Sequence, residues 1–235
     1  MPNLRARIDR PELMDTMTFT PPVVRGTLAF LGMTARHFGG AAVVIDRLAA
    51  WSVSWPKGKT ISILDVGTGG AEIPMAIARW ARSQNRRVMI VALDLMPEIA
   101  EIARANARAF PEVDIRCQDV FALRDAGETF DYVTASLFLH HVPTPRVLDI
   151  LRLFDGMARR GVIVSDLARN AASYWAVKSL AMVTGNHVVR HDAPLSVQRA
   201  FTREELDAFA GAAGLPYLRA SDAPWFRLTL AGEKP

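Results

Sequence analysis

A chain of 235 residues, half of them apolar, with a net charge of +4, is long enough for one large domain, or for one domain with an added cap, and too apolar to stay disordered. A single cysteine, Cys117, excludes an intramolecular disulfide and fits a reducing, cytoplasmic setting. No apolar run approaches the ~18 residues of a membrane span, the start "MPNLRARIDRPELMD" lacks the apolar stretch of a signal peptide, and the basic residues, nearly all Arg, are scattered rather than clustered with aromatics, which disfavours a nucleic-acid partner.

Residues 1–58 read as a helical cap. "PELMD" opens one helix, "PPVVRGTLAFLGMTARHFGG" forms a second that Gly39-Gly40 closes, and "AAVVIDRLAAWSVSW" gives a third, stopped by Pro56 and Gly58. The pattern then changes. "TISILDV" is a short apolar run followed at once by glycines, which predicts a strand. "AEIPMAIARWARS" follows with Ile73, Ile77 and Trp80 on one helical face. "RRVMIVALDL" is a second strand, and Pro97 with Glu98 and Glu101 starts the next helix. "EVDIRCQDV" and "TFDYVTASLFL" are a third and a fourth strand. "PRVLDILRLFDGMA" is a helix and "RRGVIVSDLA" a fifth strand. Strands apolar on both faces, alternating with helices, predict an α/β fold: a doubly wound, mostly parallel sheet covered on each side.

The alternation breaks after Ala168. Residues 170–200 read as an insertion with one helix, "AASYWAVKSLAMVTG", and Pro194 in "RHDAPLSVQRAFT" marks a turn. "TREE" has the spacing of a capping box, Thr202 at the cap and Glu205 reaching back. "PYLRASDAPWFRLTLAGEKP" reads as a closing β-hairpin, which brings the strands to seven in a core spanning 59–235.

Open α/β sheets bind ligands at the carboxyl ends of their strands. The first strand ends in "ILDVGTGGAEIP", where glycines let backbone approach a ligand. The second ends in Asp94, an acceptor suited to a ribose diol, and the third in "CQDVFAL", where Asp119 can accept from an exocyclic amine and the Val120 N–H can face a ring nitrogen. A dinucleotide enzyme of G-x-G-x-x-G type would place glycine where Glu72 stands, so a nucleoside bearing a cationic amino acid fits better.

"ILDVGTGGAEIP", "ALDLMPEIAEIARAN", "CQDVFAL" and "FDYVTASLFLHHV" together resemble, in order, the motifs of class I S-adenosylmethionine-dependent methyltransferases over residues 60–168. The resemblance implies a Rossmann-like fold and S-adenosyl-L-methionine as cofactor. It implies that Asp65, Gly67, Thr68 and Gly69 cradle the methionine part. Asp94 would bind the ribose with Leu95 against the adenine, and Asp119 and Val120 would read the adenine edge. Ala71 replaces the third glycine of the usual loop.

A hydroxyl acceptor needs a base, because a phenol has a pKa near 10, and histidine suits that task at neutral pH. The five histidines are His37, His140, His141, His187 and His191. Cys117, in a strand expected to be buried, is disfavoured as a nucleophile. Too few acids stand at strand ends to suggest a metal. The insertion and the N-terminal segment resemble bacterial small-molecule O-methyltransferases found with type III polyketide synthases. That resemblance implies methylation of a hydroxyl on a small hydrophobic aromatic or polyketide acceptor. His191, oriented by Asp192, is the first candidate for the base and His140 the second. His141, Tyr174, Arg190 and Arg199 are candidates for acceptor binding, with Trp175 and Met182 completing a lid. C-methylation of a quinone precursor and a non-catalytic cofactor-binding module are the alternatives. The oligomeric state stays open, a homodimer included.

Overall fold

A computed structural model describes residues 2–235. The N-terminal segment holds α1 (Leu13–Thr16), α2 (Pro21–His37) and α3 (Gly40–Trp51). Then β1 (Thr60–Val66), α4 (Glu72–Ser83), β2 (Arg87–Asp94), α5 (Pro97–Asn106), β3 (Val113–Cys117) and α6 (Val120–Asp125) alternate. β4 (Phe130–Ser136), α7 (Val147–Met157) and β5 (Ala158–Leu167) continue the series. α8 (Ala171–Met182), α9 (His187–Arg199) and α10 (Arg203–Ala212) precede the hairpin of β6 (Arg219–Ala223) and β7 (Arg227–Glu233). The seven strands lie in the order β3-β2-β1-β4-β5-β7-β6. The first five are parallel; β7 runs antiparallel between β5 and β6.

The two-residue period of the strands splits the core into two layers. Ile61, Ile63, Ile90, Tyr132 and Ile163 face one side, against Val44 and Leu48 of α3 and Ile77 of α4. Leu64, Val66, Val133, Ala135 and Val164 face the other, against α7 and α10. Burying each of these large side chains stabilises the fold by about 1.5–3 kcal/mol. α3 is therefore part of the core, and the change of pattern near residue 58 marks no packing boundary. The reason is in its sequence: α3 presents a Val-Leu stripe that only the sheet helices can cover.

Three local expectations need correction. β3 is an edge strand, so Cys117 is exposed rather than buried. The 170–200 insertion holds two helices, not one. Pro194 lies inside α9, not in a turn. Asn186 starts that helix by accepting from the N–H groups of Val188 (2.9 Å) and Val189 (3.3 Å). Burial of Val188, Leu195 and Val197 offsets the lost hydrogen bond at the proline, worth roughly 3 kcal/mol with its ring clash. The Thr202–Glu205 capping box forms as read, at 3.3 and 2.9 Å. Among the described residues, no single helix is long and apolar enough to cross a membrane.

Candidate active site

A cavity of about 860 Å³ opens at the carboxyl ends of β1 to β4. It is near the upper end of the roughly 300–1,000 Å³ usual for small-molecule sites, so two ligands can share it. α2 lends it Thr27, Leu31 and Thr34, one helical face, with Phe38 just past its end. α8 lends Ala176, Val177 and Leu180, another, with Val183 just past its end.

On the β1–β3 side, Gly67 (φ +70°) and Gly69 (φ +53°) line the cavity. A Cβ on Gly67 would come within 2.7 Å of the Phe138 ring, so glycine is needed for space as well as conformation. Asp94 accepts from the N–H of Gly69 (3.1 Å) and of Met96 (3.0 Å), and burial raises its pKa. Leu95 is 66% exposed on the cavity wall, an apolar platform without a partner. Asp119 caps α6 by accepting from Phe121 N (3.0 Å), and Val120 stands beside it. Asp65 and Thr68 do not border the cavity. Asp65 is buried and accepts from Thr134 Oγ1 (2.7 Å), and burial pushes its pKa up to about 6. Ala71 is buried with a left-handed φ of +66°, which costs a non-glycine residue roughly 1–2 kcal/mol.

The chain leaves β4 through Leu137, also left-handed (φ +52°), into a short 3₁₀ turn, Leu139–His141. This bend brings His140 against the end of β5. His140 is 3% exposed, and its Nδ1 lies 2.6 Å from Asp166 Oδ1. Asp166 Oδ2 accepts the His140 N–H (3.0 Å) and Oδ1 accepts that of Leu167 (2.8 Å). The carboxylate is buried, yet its pKa is lowered, because His140 and these donors outweigh the burial that works against the charge. On the other ring edge, His140 Nε2 faces Glu12 Oε1 at 3.6 Å, too far for a hydrogen bond. Glu12 is buried, accepts from Ser196 Oγ (2.8 Å), and burial pushes its pKa up to about 7. His141 lines the cavity with Nδ1 2.9 Å from Asp15 Oδ1. Potential ligand atoms of Glu12, His140 and His141 lie within 4.8 Å of one another, so a divalent cation has a set of donors here that the sequence did not suggest.

The structure places other expected residues elsewhere. His191 is 41% exposed, pairs with Asp192 Oδ1 (2.7 Å), and does not line the cavity. Helix α9 turns Asp192 inward instead, where its carboxylate accepts from Leu13 N (2.9 Å) and Met14 N (3.1 Å). Arg190 is exposed and off the cavity. Tyr174 is buried away from it, and Trp175 and Met182 face outward, because α8 offers the face of Ala176 and Leu180. Arg199 is a buried strap, not an acceptor anchor. It donates to the carbonyls of His140 (3.1 Å), His141 (3.0 Å) and Arg10 (2.9 Å) and to Asp15 (3.2 Å). Arg7 adds bonds to His140 O and Val142 O, both 2.7 Å, so the N-terminal arm is laced to the histidine turn. Sequence reading missed Glu12 and Arg227 at the cavity and Asp166 behind His140; none stands in a motif that announces it.

Comparison with known proteins bears on this arrangement. Residues 63–161 match a family model described as a methyltransferase domain. The chain carries a methyltransferase domain. Its fold is that of solved S-adenosylmethionine-dependent methyltransferases, one of them with bound SAM. The chain is 32% identical over 184 residues to a ubiquinone biosynthesis O-methyltransferase of Azorhizobium caulinodans, covering 76% of this chain and 64% of the relative. A namesake from Coxiella burnetii is 29% identical over 91 residues, covering 38% and 36%. The chain thus spans less than two thirds of these relatives. Among solved structures, an O-methyltransferase family 2 protein of Planctomyces limnophilus in complex with apigenin superposes with a TM-score of 0.67 at 18% identity, over 94% of this chain and 63% of that one. The magnesium protoporphyrin IX methyltransferase of Synechocystis with bound SAH gives 0.55 at 14%, over 94% and 89%. These two share the fold.

Proposed function

We propose that the protein transfers a methyl group from S-adenosylmethionine to a hydroxyl of a small, largely apolar aromatic acceptor, with His140 as base. The observation that carries this reading is the buried Asp166–His140 pair, 2.6 Å apart, with His140 on the cavity wall and Asp166 behind it. Asp166 accepts two backbone N–H groups and, as a carboxylate, can only accept from the ring, so it holds the proton on Nδ1 and leaves Nε2 as the acceptor.

The cofactor fits the residues present. Asp94 has a two-oxygen acceptor for the ribose, Leu95 a bare apolar face for the adenine, Asp119 and the Val120 N–H an edge, and Gly67–Gly69 the open backbone for the methionine part. Asp65 and Thr68 support that loop from below. When bound, S-adenosylmethionine supplies an electrophilic methyl on a sulfonium. His140 Nε2 takes the acceptor's hydroxyl proton as the oxygen becomes nucleophilic, and Asp166 stabilises the imidazolium that results. The apolar faces of α2 and α8 exclude water and align the acceptor; alignment contributes on the order of 7–11 kcal/mol in the best cases. The relatives named for O-methylation support a hydroxyl acceptor. The single free cysteine is consistent with a reducing cytoplasm.

The test compares His140→Gln with His191→Ala on a panel of phenols, following S-adenosylhomocysteine release and mapping the new methyl by NMR. His140→Gln should lose ~10²–10⁴ in turnover while keeping cofactor affinity; His191→Ala should stay near wild type. The reverse ranking, or a methyl found on ring carbon, sinks the reading.

A further inference from the structure

Arg227, the first residue of β7, is a buried cation without a counter-ion. It is 3% exposed, and its side chain lines the cavity. Its Nε donates to Phe38 O (3.1 Å), the carbonyl that ends α2, and its Nη1 meets no acceptor. Among the described residues, no carboxylate lies within 4.0 Å of its guanidinium, since every ion pair of that length involves other cations. Asp166 is the acid whose field reaches it, and Asp166 already serves His140. An uncompensated buried cation is unfavourable by several kcal/mol, so its retention calls for an anion that arrives from outside.

The surroundings are shaped around this side chain. A Cβ on Gly40 would come within 3.1 Å of Nη2 and 2.8 Å of Ala35 Cα, so glycine there leaves room for the guanidinium. The preceding Trp225 (φ +61°) and Phe226 (φ +59°) are both left-handed, an outlying conformation for bulky residues. Both line the cavity. Trp225 packs edge-on against Phe38 at 5.2 Å, and Phe226 O accepts from Ala168 N at 2.9 Å.

Position excludes the cofactor as the source of the anion. β7 stands three strands from β1 through β4 and β5, about 14 Å across the sheet at ~4.8 Å per strand. Asp94, Leu95 and Asp119 lie in the opposite direction. Arg227 pairs in register with Leu167, one residue on from Asp166, so it stands on the side of the base.

We propose that Arg227 binds a planar oxyanion of the acceptor, a carboxylate or an acidic enol or phenol oxygen, beside the hydroxyl that His140 deprotonates. This rests on the acceptor occupying the cavity as described above. Arginine's planar fork suits such a group, and it replaces Arg190 and Arg199, which the structure withdraws from that role.

Calorimetry on S-adenosylhomocysteine-loaded protein at pH 7.5 tests it. The probes are the three hydroxybenzoates against their amides, and 4-nitrophenol against phenol. In the wild type at least one pair should favour the anion tenfold or more. The hydroxybenzoate pair responding identifies a carboxylate site, and the nitrophenol pair an acidic hydroxyl. Arg227→Gln should erase the preference while leaving affinity for the neutral partner unchanged. If Arg227→Gln no longer binds S-adenosylhomocysteine, Arg227→Lys carries the test: it keeps a charge without the fork and should cut the preference severalfold. Equal binding of anion and neutral partner by the wild type, or a preference that survives the substitution, overturns the proposal. Because the readout is binding, its failure is separable from a failure of turnover in the His140 variants.

Discussion

Asp166→Asn is the sharpest probe of the site. The two side chains have the same shape, but all three groups facing the Asp166 carboxylate are N–H donors: His140 Nδ1, His140 N and Leu167 N. An asparagine there must turn its NH₂ toward one of them. Facing the ring, it donates to Nδ1 and moves the ring proton to Nε2, where no base remains. The lost interaction is that of a carboxylate with the imidazolium formed during reaction. At ~4 Å between charge centres and an effective dielectric near 20, it amounts to about 4 kcal/mol. That corresponds to a loss of ~10³ in kcat. Cofactor affinity should hold, since Asp166 is remote from Asp94 and Asp119. The loss should shrink as the acceptor phenol becomes more acidic, because a pre-ionised oxygen needs no base. The assay is steady-state release of S-adenosylhomocysteine across phenols of graded acidity. Turnover within about threefold of wild type, or a deficit that does not depend on acceptor acidity, would refute the reasoning.

Glu12 holds its proton up to about pH 7 in the folded chain, against an ordinary value of 4.5, so the folded state loses stability as pH rises between those values, by up to about 3 kcal/mol. Asp65 acts with the same sign up to about pH 6, so the comparison of wild type with Glu12→Gln isolates Glu12: the variant's stability curve from pH 5 to 7 should be flatter. A Zn²⁺ ion should inhibit by capturing Glu12, His140 and His141, and chelation should restore activity; Glu12→Gln should weaken the inhibition at least tenfold, as read from titrations with the ion. Arg199→Met leaves the carbonyls of His140, His141 and Arg10 without their donor. It should destabilise the protein by about 2–4 kcal/mol in denaturant unfolding and speed hydrogen exchange in residues 5–16.

The cavity wall at the ends of β1 to β3 was legible because it is local. Gly67, Asp94, Leu95, Asp119 and Val120 each follow directly from a strand end, and once strand and helix alternate, the parallel sheet brings those ends together. The acceptor half was not legible for the opposite reason. His191 stands next to Asp192 in the chain, whereas His140 meets Asp166, 26 positions on, only through the fold, and the rotation of α9 takes His191 off the cavity. Reading Pro194 as a turn hid the helix that carries His191 outward. Glu12 reaches His140 only because Arg7 and Arg199 lace the N-terminal arm across the cavity, 128 positions away in the chain.

By itself, the sequence determined the periodicities. Strand runs apolar on both faces and glycines at their ends suffice for a doubly wound sheet with an open cavity at its strand ends, since both arise from contacts within a strand–loop–helix unit. The tertiary structure decided the chemistry at the other end of the cavity. Arg227 reads in sequence as an ordinary surface arginine of a hairpin. Inserting β7 between β5 and β6 buries it beside the cavity. Burial is a property of the packed layers and not of the local chain, and it makes one arginine among many an unpaired charge.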